Sequence, residues 1–110
     1  MTASWTDFEK LDLRVGRIVA VEEFPKARNP SYKITVDFGE AFGTRRSCVQ
    51  ATNYPQEKLL GMQVICIVNF PPKQIADTIS EVLILGVKTE SRGIALLVPD
   101  KEAILGTKVY

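Results

Sequence analysis

The chain has 110 residues, 45% of them hydrophobic and 25% charged, the balance of a globular domain rather than a disordered or fibrous one. Fourteen Lys and Arg against 13 Asp and Glu leave a net charge of +1, so a polyanion partner must be sought in how charge is placed. The absence of histidine excludes an imidazole base, a Ser-His-Asp triad and every His-ligated metal site.

Taken in chain order, residues 1–7 (MTASWTD) lack the basic and apolar regions of a signal peptide, and no apolar run approaches a membrane span. Together with two widely separated cysteines, Cys48 and Cys66, this predicts a cytoplasmic protein with reduced thiols. Val15–Val21 reads as a first strand, in which Gly16 marks a bulge or bend. Tyr32–Phe38 alternates strictly, with Tyr32, Ile34, Val36 and Phe38 on one face and Lys33, Thr35 and Asp37 on the other. Gly39 and Gly43 flank a turn, and Thr44–Ala51 follows as a third strand. Tyr54–Leu60 carries the proline, glutamate and closing Gly61 of a short helix.

Gln63–Phe70 is a fourth strand, ended by Pro71-Pro72 because proline lacks the ladder donor. Val82–Leu85 and Ile94–Val98 complete the set around a Gly86–Gly93 connection. The expected fold is all-β with one short helix: a five-stranded Greek-key OB-fold barrel with terminal extensions, one domain over residues 1–110. A β-sandwich is the competing topology. Residues 64–68 and 82–85 have no polar face, so either the terminal segments or a second subunit, giving a homodimer, must cover their outer side.

Candidate ligand-binding chemistry is non-catalytic. No P-loop, GxGxxG or GxSxG motif is present, and no spacing sets two carboxylates across a cleft. Lys26, Arg28, Lys33, Arg45 and Arg46 are opposed only by Asp37 and Glu40 in their stretch of chain. Lys73 extends this set. Such a cluster could track a phosphate backbone, since polyanion binding draws on local cations. Phe24, Tyr32, Tyr54 and Phe70 could stack on bases or anchor apolar side chains, Phe70 beside Pro71-Pro72 being the best candidate for an exposed shelf. Asn53, Asn69, Ser47 and Ser80 could hydrogen-bond phosphates, bases or a peptide backbone.

The segment 8–19 (FEKLDLRVGRIV) resembles the opening of the tRNA-binding domain family, the OB-fold module at the C-terminus of many methionyl-tRNA synthetases. Further matches are 36–39 (VDFG), 61–64 (GMQV), 68–73 (VNFPPK) and 80–86 (SEVLILG), the last two most similar to the stand-alone CsaA-type branch of export-related chaperones. The resemblance implies an OB barrel, a homodimer, tRNA bound by shape, and unfolded or precursor polypeptides as partners alongside a protein-export component. It implies no cofactor. From matching positions it carries over Asn69, Lys73 and Ser80 for nucleic acid; Asn69 and Phe70 are the peptide-binding candidates. Val82 and Leu83 stand where tRNA-binding members have Gly and Met, and a Val82 side chain would obstruct close backbone approach to RNA.

Overall fold

The computed structural model describes residues 1–110. Its elements are helix α1 (Trp5–Lys10), strands β1 (Leu13–Glu23), β2 (Tyr32–Asp37) and β3 (Thr44–Val49), and helix α2 (Gln56–Leu59). There follow β4 (Gln63–Ile67), β5 (Lys73–Ile75), β6 (Thr78–Ser80), β7 (Leu83–Ile84), β8 (Gly86–Lys88) and β9 (Ile94–Leu96). Five strands form one antiparallel sheet in the order β3-β2-β1-β4-β7, while β5 with β6 and β8 with β9 make two hairpins. No helix is long and apolar enough to cross a membrane.

The two sheet edges, β3 and β7, meet through side-chain and main-chain hydrogen bonds rather than a full ladder. Glu81 N donates to Arg46 O at 2.8 Å, Ser47 Oγ donates to Val82 O at 2.9 Å, and Cys48 N donates to Ser80 Oγ at 3.1 Å. The sheet therefore curls into a nearly closed barrel with α2 between the third and fourth barrel strands. This is the OB-fold, and it removes the sandwich alternative.

The alternation of β2 sets the core. Tyr32, Ile34 and Val36 are buried, and with Phe38, Ile18, Val64, Cys66, Ile84 and Leu59 of α2 they fill the barrel. Gly16 does not mark the bulge: the irregularity of β1 lies between Ile18 and Ala20. Gly16 is needed for space, since a Cβ there would stand 2.4 Å from Val36 Cγ1 and 2.8 Å from Phe38 Cε1.

The outer side of β4 is closed by the chain's own later residues. Ile65 N donates to Leu97 O at 3.1 Å, and the Gln63 amide exchanges two 2.8 Å hydrogen bonds with Ala103. Residues 106–109 run along β1, with Gly106 N donating to Val15 O and Val109 N to Leu13 O. A second helix, α1, was not expected; a capping box between Ser4 and Asp7 starts it.

Candidate nucleic-acid and peptide interface

Two hollows open where β3 faces the β5–β6 hairpin and residues 80–84. The first, about 530 Å³, is polar and lined by Thr35, Thr44, Arg45, Arg46, Pro72, Asp77, Thr78, Ile79 and Glu81. The register explains it: Lys33, Thr35 and Asp37 on the outward face of β2 stand opposite Cys48, Arg46 and Thr44 on β3, so the charges of both strands share one surface. Arg45 sits opposite Val36 and bends back, its Nη1 donating to Phe42 O at 2.5 Å and Thr44 O at 3.3 Å. The Arg46 side chain is exposed and makes no ion pair, while its backbone N–H donates to Glu81 Oε1 at 2.9 Å.

Lys26 and Lys33 converge on a residue far along the chain. Lys26 Nζ lies 3.0 Å from Asp77 Oδ2 and Lys33 Nζ 3.9 Å from Asp77 Oδ1, and Lys33 stands 4.8 Å from the centre of the Phe24 ring. The hydrogen bond from Lys26 holds the Asp77 carboxyl below its ordinary value of 3.8, with a further donation from Thr78. The cluster is thus less positive than its own stretch of chain implies, because Asp77 and Glu81 fold into it. Arg28 is exposed in a neighbouring hollow of about 400 Å³ formed by the β1–β2 loop, with Phe24, Tyr32 and Thr52.

The second hollow, about 540 Å³, is largely apolar. Val49, Phe70, Pro71, Ile75, Val82, Leu83, Ile84 and Ile94 line it, with Lys73, Ser80 and Glu81 on its polar side. It continues past Leu83, Ile84 and Ile94 into a smaller hollow of about 300 Å³ bordered by Val87 and Lys88. Phe70 is 43% exposed, Leu83 45% and Val87 57%, a row of large apolar groups that a soluble surface rarely leaves open. The Cys48 thiol also borders this groove, and burial raises its pKa against the lowering effect of Lys33 and Arg46.

Several sequence candidates prove to be engaged in the fold. Asn69 Oδ1 accepts from Asp12 N at 2.9 Å and its Nδ2 donates to Lys10 O at 2.8 Å, so the amide ties the end of α1 to β4 instead of facing either hollow. Asn53 clips β9 in the same manner through Ile94. Tyr32 donates to Tyr54 O and Tyr54 accepts from Leu96 N; both are structural, as is the buried Phe24. Ser80 closes the barrel yet still borders the groove with Lys73. Val82 is only 5% exposed and belongs to the core while bordering the groove; its neighbour Leu83 presents the outward side chain.

Sequence reasoning did not single out Asp77, Glu81, Val49 or Val87. Leu83 was detectable within the run 82–85 that has no polar face, whereas Val87 lies in the Gly86–Gly93 stretch expected to be a connection, whose first residues form β8, and Asp77 meets Lys26 only through a contact 51 positions long.

Comparison with known proteins agrees with this architecture. A model of the tRNA binding domain family matches residues 13–108. The CsaA chaperone protein of Picrophilus torridus is 44% identical, with a TM-score of 0.93 over 99% of this chain and 100% of that one. The chaperone CsaA of Bacillus anthracis is 42% identical, with a TM-score of 0.92 and full coverage of both chains. The methionine–tRNA ligase of Pyrococcus abyssi is 38% identical over 109 residues, 99% of this chain; the chain spans only 15% of that enzyme's length. The chain belongs to the tRNA-binding domain family.

Proposed function

From that membership as premise, we propose that the protein is a non-catalytic, cytoplasmic binding protein of the CsaA type. It holds unfolded or precursor polypeptides in the Phe70–Leu83–Val87 groove in support of export, and it binds tRNA through the cations around the polar cleft. The observation that carries the reading is the shared wall: the β5–β6 hairpin and Glu81 border an apolar groove on one side and an arginine-lined cleft on the other. Full-length likeness to two proteins named CsaA chaperones supports the polypeptide half. Family membership supports the tRNA half.

The chemistry of each half follows from its lining. An extended segment laid in the groove removes apolar surface from water at roughly 25 cal/mol per Å², and Phe70 offers the largest anchor. Arg45 and Arg46 in the cleft, Lys26 and Lys33 at its Asp77 side, and Arg28 and Lys73 in the adjoining hollows would displace counterions from a phosphate backbone, giving shape-based rather than sequence-based recognition. Two copies of the chain would associate through apolar surface left open on the monomer outside the groove, such as Val98 and Ile104.

Fluorescence anisotropy with labelled bulk tRNA, at low and physiological salt and with an unfolded polypeptide as competitor, tests both halves. tRNA affinity is expected to fall steeply with salt and polypeptide affinity to change little. Phe70→Ala is expected to weaken polypeptide binding about tenfold, the scale of one buried aromatic anchor. Polypeptide binding untouched by Phe70→Ala would remove the groove from the reading, and no tRNA binding at either salt would remove the cleft. Sedimentation at micromolar protein should report twice the monomer mass; a monomer there would reject the dimer.

A further inference from the structure

We infer that the Asp77 carboxylate occupies the place of a ligand phosphate between Lys26 and Lys33, and that polyanions bind this part of the cleft by exchanging with it. The inference rests on the nucleic-acid half of the proposed function and adds a built-in competitor to it. Lys26 comes from the β1–β2 connection, Lys33 from β2 and Asp77 from the turn between β5 and β6, so three separate segments place one anion between two ammonium groups. Lys33 is also held by the Phe24 ring, whose centre lies 4.8 Å from its ammonium group. Asp77 itself lines the polar cleft beside Arg45 and Arg46, where a phosphate chain following those arginines would meet it.

The exchange is inexpensive. The side chains of Lys26 and Asp77 are 71% and 48% exposed, and ion pairs so open to water are weak and screened by salt. The turn that carries Asp77 is strained: Ala76 has φ of +51°, a left-handed conformation that disfavours any residue with a Cβ. Gln74 Nε2 donating to Ala76 O at 2.7 Å and Thr78 Oγ1 donating to Asp77 Oδ1 at 3.2 Å hold the turn in that shape. A polyanion therefore gains two lysines at the cost of one exposed contact, to Lys26, and one long contact of 3.9 Å to the half-buried Lys33.

Asp77→Asn, which keeps the shape and removes the charge, tests this. Its affinity for bulk tRNA should rise about three- to tenfold at low salt, and the slope of log K against log salt should steepen by roughly one unit, the signature of one further phosphate contact. Both gains should vanish when Lys26→Met and Lys33→Met are added. Asp77→Ser serves if the asparagine variant does not fold. Retention of the proteins by inorganic polyphosphate is read in parallel, as a probe of the same chemistry without RNA structure. If the wild type binds tRNA but Asp77→Asn binds tRNA and polyphosphate no better, the exchange is wrong and the nucleic-acid reading stands. If neither protein binds tRNA but Asp77→Asn binds polyphosphate more tightly, the exchange stands and the tRNA reading falls. Equal polyphosphate binding with no tRNA binding sinks both.

Discussion

Asn69 grips Asp12. Its side-chain oxygen takes the Asp12 N–H at 2.9 Å while its amide nitrogen donates to the carbonyl of Lys10 at 2.8 Å, two residues upstream. The asparagine just before Phe70 thus fixes the exit of α1 onto the end of β4, and Val68 N donating to Asp12 O at 2.8 Å completes the tie. Asn69→Ala should lower stability by about 1–2 kcal/mol, the worth of two partly exposed hydrogen bonds. The folded variant should keep its tRNA and polypeptide affinities. Urea denaturation and the two titrations check this, and a large loss of affinity in a stable variant would return Asn69 to the binding surface.

Gly16 offers a sharper steric test. A methyl group there would enter space already filled by Val36 and Phe38, at distances no real Cβ adopts. Gly16→Ala should cost about 1–3 kcal/mol through overpacking, despite the entropy that alanine would otherwise save. A neutral or stabilised variant in urea unfolding would show that β2 yields more readily than the packing implies.

Cys66 ties stability to alkaline pH. Burial in the core pushes its thiol from the ordinary 9.0 up to about 12. Between those values the unfolded thiol ionises and the folded one does not, so stability present below pH 9 is lost as pH rises, by about 1.4 kcal/mol per pH unit. Comparing urea unfolding at about pH 8 and about pH 10.5 should show this loss, reduced in Cys66→Ala. Equal pH dependence of the two proteins would mean that the thiol is not its source.

The two neighbouring arginines should behave differently. Arg45 spends its guanidinium on the carbonyls of Phe42 and Thr44, whereas Arg46 is exposed and unpaired. Arg46→Ala should therefore weaken tRNA binding and flatten its salt slope by roughly one unit, while Arg45→Ala should alter the slope less. Identical slopes for the two variants would contradict the division.

Local pattern accounts for much of what the sequence disclosed. The period-2 alternation of β2 matched the observed burial residue by residue, because a strand with one face in the core has no other register. The apolar run of β4 and the helix before Gly61 were equally plain, but β4 ends at Ile67 rather than at Pro71-Pro72 as expected. Phe70 was placed on an exposed shelf, and it lies in the apolar groove. The β5–β6 hairpin was missed because each strand has three residues and little apolar content. Several strands proved shorter than their apolar runs, since residues such as Phe70 and Val98 leave the ladder while remaining apolar. The site's electrostatics were misjudged for a related reason. Charge counted along 20 residues cannot include Asp77 and Glu81, which arrive through hydrogen bonds spanning 51 and 35 positions.

The run of residues 106–109 along β1 bears on how the chain reaches this state. Arg14 donates to the carbonyl of Gly106 across 92 positions, and Val15 exchanges main-chain hydrogen bonds with the same segment. Closing loops of that length precedes any reward from the contacts, which places such topologies among slow folders, in the millisecond-to-second range. Until then the Leu13–Val15 stretch of β1 keeps an open edge able to pair with another chain. A chain caught before residues 106–109 dock is the form most exposed to association along that edge.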